Sequence, residues 1–347
     1  MLIGNRNWEP YIGDVVAGLA VDGHERVVAL ATSAYQSYSS CRQYCEDIEG
    51  AAAGQPVRVD KIDPFWAEPA FAEANARRLV EGVRALRGRI GGAQMRVLFV
   101  THSIPLTMNE LSATGEPADR YDAQHMRVAG AVAALAEAEL GEALDWELTY
   151  CSRSGAPHVP WLEPDVNDAL TAVAGSVTGV VVAPIGFISD HMEVAYDLDT
   201  EAAQTAAGLG LEYERAGTVG IDGGFVSMLA DLLLEQAAVA RGERRPRSVC
   251  QFAGGNCCLP DPPPPATHME EPSRDAPQPR RPRPDRSRRP GPQRGVAVRD
   301  VLGVLHRRPA SRGGGCTGGV AGRGGVVRRR GYRGDAPRRL RRRRVPG

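Results

Sequence analysis

Lysine is nearly missing from this chain. Of 42 basic residues only Lys61 is not arginine, a bias that reads as GC-rich coding rather than as a specific use of the guanidinium group. Long apolar runs are missing too. No stretch reaches the about 18 residues that a membrane-spanning helix needs, and no basic-then-apolar leader opens the chain, so neither a span nor a signal peptide is predicted and the cytoplasm is the expected compartment. The first 260 residues hold neither GxGxxG nor GxxxxGKS, the glycine loops that cradle phosphates, which argues against nucleotide chemistry. His191-Met192-Glu193 supplies HxE without the second histidine of a zinc-protease helix.

Net charge is zero only in sum. Residues 1–260 carry 19 basic and 35 acidic side chains, and the remainder carries 23 and 7, so an acidic body bears a basic tail. From about Asp261 the composition turns to Pro, Gly and Arg, too poor in apolar residues to offset the entropy of ordering, and disorder is expected over 261–347. Arginine there would neutralise phosphates if the tail met nucleic acid, but composition this biased reads first as a low-complexity extension or an out-of-frame translation.

Alternation of apolar strands and amphipathic helices is the chief positive signal. Strands are expected at 26–32, 57–59, 97–101, 145–151, 180–185 and 211–214. Helices are expected from Pro10 to Gly23, through Asp47, and at 69–86, 119–139, 166–174 and 223–240. This spacing predicts an α/β protein with parallel sheets in two similar units, residues 1–100 and 101–248, the last helix packing back on the first unit. The opening MLIGNRNWEPY enters a polar-aromatic loop with no strand to deliver it, and reads as a truncated start.

The stretch 179–199, GVVVAPIGFISDHMEVAYDLD, carries the chemistry. An apolar run that ends at a turn suits a strand buried on both faces, and ligands in such folds sit beyond the carboxyl ends of the strands. A helix from Asp190 at 100° per residue would gather Asp190, Glu193 and Asp197 on one arc. Like charges packed there make sense if a cation comes to them. His102 ends another predicted strand, and an imidazole facing carboxylates across a cleft suits metal delivery or proton transfer.

THSIP at 101–105, SRSG at 152–155, PWLEPD at 160–165 and PIGFISDHMEVAYDLD at 184–199 together resemble ferrochelatase. GNRNWEPY at 4–11 and TSAYQSYSSCRQYCEDI at 32–48 are similar to its bacterial coproporphyrin branch. The resemblance spans roughly residues 4–258. It implies two Rossmann-like halves around a cleft and insertion of Fe2+ into a porphyrin, coproporphyrin III being the expected one; a monomer is expected. It places the metal-site histidine on His102, the essential glutamate on Glu193, the preceding Asp-His pair on Asp190 and His191, and an acidic ladder continuing at Asp197, often within a π-helical segment. Which residue takes a proton and which holds iron is left open.

Trp8, Tyr11, Tyr35 and Tyr38 are the candidates to line the flat macrocycle, and Arg6, Arg42 and Arg153 to pair with its propionates. Cys250, Cys257 and Cys258, within 249–260, fall where many family members hold a [2Fe-2S] cluster. Three thiolates are one short of the usual four, and Cys151, Cys41 and Cys45 remain open as the fourth. The family's first strand and the glycine-rich lip after it have no counterpart here. The alternative is therefore an inactive remnant that binds tetrapyrrole or iron without insertion.

Overall fold

Valine-rich segments build the sheet that carries the candidate site. The computed structural model describes residues 1–156, 158–245 and 257–260; Cys250, Cys316 and the tail 261–347 lie outside the described residues. Strand β3 (Met95–His102), β4 (Trp146–Cys151), β5 (Gly179–Ala183) and β6 (Glu212–Arg215) form one parallel sheet in the order β4-β3-β5-β6. All five residues of β5 are buried, as expected of a strand covered on both faces.

Side chains alternate across this sheet. Val97, Phe99, Leu148, Tyr150, Val181 and Ala183 pack with helix α3 (Pro69–Ile90) and helix α5 (Tyr121–Leu140). Leu98, Val100, Cys151, Val180 and Val182 face the other way, onto α6 (Val166–Val173), a π-helix (Val194–Ala202) and α7 (Ala203–Gly208). Each such aliphatic side chain, fully buried, contributes about 1.5–3 kcal/mol. A charge at Val181 would forfeit that and bury an unpaired ion.

The first unit is thinner than two equal halves would require. Its sheet has two parallel strands, β1 (Arg26–Ala29) and β2 (Arg58–Lys61), accompanied by α1 (Ile12–Val21) and α2 (Gln43–Ala52). Asp60 is buried between Arg26 and Arg58, and Arg26 Nη1 donates to Ala240 O at 2.6 Å, tying β1 to the end of helix α8 (Gly223–Ala240). The expected boundary at 100/101 is corrected, because β3 begins at Met95 and α3 buries Leu79, Val83 and Leu86 in the core of the larger sheet. Pro10 lies before α1, not within it, with its carbonyl accepting from Asn5 N at 2.7 Å.

Helix α8 qualifies the expectation of no membrane span. By length and composition it is apolar enough to cross a bilayer, yet it contains Asp231 and Glu235 and buries Phe225 and Met228 in the protein core. Its N-cap, Asp222, accepts from Phe225 N at 3.0 Å and receives a bidentate pair from Arg77 of α3, 3.0 and 2.7 Å. A capping carboxylate satisfies an otherwise orphan donor, and the arginine fastens α8 to α3.

Candidate active site

His102 is the last residue of β3 and pairs in register with Cys151 at the end of β4. The turn after it is held from both sides: Ser103 N donates to Cys151 O at 2.8 Å and Ser103 Oγ to Leu162 O at 2.8 Å. His102 Nδ1 meets Ser103 O in a short hydrogen bond. A carbonyl only accepts, so Nδ1 is the donor in this bond, and Nε2 is turned toward the opposite wall.

Beneath His102 lies a polar layer that the sequence reading missed. Thr101 Oγ1 is 2.8 Å from His125 Nε2 and 3.0 Å from the Tyr121 hydroxyl, which also donates to His102 O at 3.0 Å. His125 Nδ1 is 2.7 Å from Tyr121 O. Burial depresses the His125 pKa to about 3, with the backbone bond to Tyr121 opposing it. A neutral imidazole is therefore built in. The available signal was Gln124 and His125 standing at buried positions of an alanine-rich helix.

The chain reaches the opposite wall through Pro184-Ile185-Gly186-Phe187, where Gly186 N donates to Val100 O at 3.1 Å. The helix that follows is π, not α. Asp190 and His191 precede it, and Glu193 is its N-cap, so the three-acid face expected at 100° per residue is corrected. Hydrogen bonds from i to i+5 widen each turn to between four and five residues, which brings Glu193 and Asp197 nearly into line and leaves Asp190 out. Asp190 instead pairs with Arg215 Nη1 at 3.1 Å, while Arg215 Nε holds Asp199 at 2.5 Å.

Two walls thus meet at one pair. His102 Nε2 and Glu193 Oε1 are 3.6 Å apart, and His191 Nδ1 lies 4.0 Å from Glu193 Oε2, all three side chains partly open to solvent. The His191 ring is edge-on to Phe187, 5.3 Å between centroids. Asp197 accepts a short hydrogen bond from the Ser152 hydroxyl. Met192 and Tyr196, 80% and 56% exposed, flank Glu193 and add an apolar surface that sequence reading passed over, although their spacing of four within an acidic stretch was visible.

The aromatic and arginine candidates divide. Trp8 and Tyr11 are exposed. Tyr35 is a correction: it is 2% exposed, stacked on His125 at 3.5 Å between centroids, its hydroxyl donating to Ile185 O at 3.0 Å, so it supports the core and offers no face to a ligand. Tyr38 donates to Glu46 Oε2 at 3.2 Å, and Arg42 Nε to Glu46 Oε1 at 2.8 Å. Arg6 pairs with Asp47 at 2.8 Å and lies 4.7 Å over the Tyr44 ring. Arg153 is 3.8 Å from Glu163 and donates to Val159 O at 3.2 Å.

Three thiols converge elsewhere. The Cys258 thiol is hydrogen-bonded to Cys257 and Cys41, which with burial raises it far above the ordinary thiol value. Ala113 N donates to Cys258 Sγ at 3.2 Å, Lys61 Nζ lies 3.7 Å from Cys41 Sγ, and Arg42 Nη1 donates to Cys257 O at 3.0 Å. Cys151 belongs to a different cluster, beside Ser152 and Asp197. The donor set suits a soft metal centre once deprotonated, although among the described residues no group of three or more His, Cys, Asp or Glu is arranged to hold a metal ion. A groove of about 390 Å3 opens between α3 and α8, lined by Glu68, Glu73, Asp231 and Glu235. It touches none of the residues around His102, and the geometry of that pair, not cavity size, marks the site.

The model of the ferrochelatase family matches residues 1–237. The coproporphyrin III ferrochelatase of Streptomyces griseus is 47% identical over 257 residues, 69% of this chain and 66% of that protein. The protein of the same name from Frankia alni is 43% identical over 269 residues, 74% of this chain and 68% of that protein. This chain spans about two thirds of the length of these relatives. Among solved structures, SirB from Bacillus subtilis with Fe3+ is matched over 68% of this chain and 81% of that one, at 14% identity and a TM-score of 0.41, a distant likeness. By the extent of the family match and the identity to these relatives, the chain belongs to the ferrochelatase family.

Proposed function

We propose that this protein is a lyase that inserts Fe2+ into a porphyrin, coproporphyrin III, in haem biosynthesis. The observation that carries the reading is the 3.6 Å separation of His102 Nε2 and Glu193 Oε1. That is too long for a direct hydrogen bond and sets two ligand atoms to share one proton or cation between them. With bonds of about 2.1 Å, usual for histidine and carboxylate ligands, both would reach one cation at an angle of roughly 120°.

Insertion exchanges two pyrrole N–H protons for one Fe2+. Nε2 of a neutral His102 and the Glu193 carboxylate are each a proton acceptor and a ligand, and His191 stands behind Glu193 as a further base. Glu193 and Asp197, in line on the π-helix, form a path of negative charge along which a cation is drawn. Met192, Tyr196, Trp8 and Tyr11 offer apolar surface to a flat macrocycle, and Arg153 a cation to its propionates. The names of the relatives support coproporphyrin III as substrate.

Loss of the free-porphyrin spectrum on adding Fe2+ anaerobically tests the reading. His102→Ala with Glu193→Ala should lower the rate at least 10²-fold, the usual contribution of positioned acid–base groups; full activity in the double variant refutes it. Porphyrin fluorescence quenching without metallation would favour the rival, a tetrapyrrole-binding protein. A cytoplasmic location and a monomeric state complete the reading, and cell fractionation and light scattering test them.

The contacts of Cys258 with Cys257 and Cys41 are what speaks for a [2Fe-2S] cluster, with Cys41 beside these two C-terminal thiols. Such a cluster would bind thiolates and join the C-terminal segment to residues 37–42. Anaerobic reconstitution with iron and sulfide should give visible absorption bands that Cys41→Ser abolishes. Bands unchanged in that variant would remove Cys41 from the ligand set.

A further inference from the structure

Ser152 follows β4 with φ 61°, a left-handed backbone that serine seldom adopts and that glycine enters without steric cost. A turn needing only this conformation would be served better by glycine, so the retained side chain points to a use for its hydroxyl. The hydroxyl oxygen lies 3.3 Å from Cys151 Sγ and donates to the Asp197 carboxylate. It has one proton to give, and a carboxylate is the stronger acceptor. The Cys151 thiol is buried, raised well above its ordinary value by that burial, and hydrogen-bonded to both Ser152 and Asp197. Cys151, Ser152 and Asp197 thus form one hydrogen-bonded group that joins the end of β4 to the π-helix.

We propose that Ser152 is a positioning residue for the iron path: its hydroxyl, set by a left-handed backbone and backed by Cys151, holds the Asp197 carboxylate in register behind Glu193. This rests on the metal-insertion reading above. Asp197 is one π-turn from Glu193, so without the anchor its carboxylate samples other rotamers and the cation meets a weaker field on its way in. The porphyrin and the proton acceptors are untouched, so the effect falls on the use of iron.

The test compares Ser152→Gly, which keeps the backbone and removes the hydroxyl, with Ser152→Asn, which tolerates the same backbone and restores an N–H donor. In Ser152→Gly the KM for Fe2+ is expected to rise roughly tenfold, as for loss of one hydrogen bond to a charged group, with kcat at saturating iron within about twofold and thermal stability equal or higher. Ser152→Asn should recover most of the KM. In an Asp197→Asn background, Ser152→Gly should add nothing. An unchanged KM in a folded Ser152→Gly protein, or the same tenfold loss in the Asp197→Asn background, overturns the proposal. Co2+ binding to the full chain without porphyrin is read in parallel. If the parent protein metallates no porphyrin, the insertion reading fails by itself. The positioning role then stands if Ser152→Gly weakens Co2+ binding and falls if it does not.

Discussion

Gly186 passes so close to Thr101 that a methyl group on its Cα would lie 2.2 Å from Thr101 Oγ1 and 2.6 Å from Thr101 Cα. This approach lets the chain leaving β5 cross the end of β3 and deliver His191 and Glu193 opposite His102. Gly186→Ala must therefore push backbone against backbone. The expected cost is about 3 kcal/mol, the upper end for overpacking, because no flexible side chain can yield. Urea unfolding checks it, and stability unchanged within about 0.5 kcal/mol would mean that the crossing is loose.

Acid should weaken the fold through His125. Its folded pKa is about 3 against about 6.5 unfolded, so between those values the unfolded state binds the extra proton. Stability is then complete above about pH 6.5 and is lost as pH falls toward 3. From pH 6.5 to 5 the loss is about 2 kcal/mol from this group alone. Urea midpoints at the two pH values measure it, and His125→Gln should flatten the difference; an identical pH slope in that variant would assign the loss to other groups.

Asp222 acts in a separate pH window. The Arg77 hydrogen bond lowers its pKa to about 2. A depressed carboxylate stabilises above its unfolded value of about 3.9, and that stability is lost only as pH falls from there toward 2. Near neutrality Asp222→Ala removes both the cap of α8 and the anchor of Arg77, at an expected cost of about 2 kcal/mol. Asp222→Asn, which can still cap, should lose less. Equal losses in the two variants would mean that the cap contributes little and the ion pair most.

Glu193→Gln keeps shape and removes charge. Iron insertion is expected to fall roughly 10²-fold in kcat/KM, with porphyrin affinity within about twofold. A large loss of porphyrin binding instead would make Glu193 a substrate contact.

Periodicity made most elements legible. The helices at 166–173 and 223–240 and the strands of the larger sheet stand close to where apolar spacing put them, because their burial patterns are written in the chain at periods of 3.6 and 2. The placement of His102 at the end of a strand and of Glu193 beyond the next one was legible because both strands are apolar runs. The π-turn was expected from the family resemblance alone and not from the spacing, since a change from i+4 to i+5 bonding leaves the apolar spacing almost unaltered. Tyr35 misled because an aromatic at a loop start looks the same whether it meets a ligand or, as here, a buried histidine. The shared arc with Asp190 misled because Asp190 precedes the helix and pairs with Arg215, 25 residues away on β6.

The residues by themselves determined the α/β class, the parallel valine-rich core and the identities of the groups at the strand ends, all properties of local pattern. Tertiary structure alone decided that Glu193 stands 3.6 Å from Nε2 of His102, that Ser152 bonds Asp197 while Asp190 pairs with Arg215, and that Cys258 meets both Cys257 and Cys41. Those facts depend on chain crossings at single points, such as Gly186 over Thr101, where a difference of an ångström in backbone approach sets which side chains meet, and spacing along a sequence carries no record of that distance.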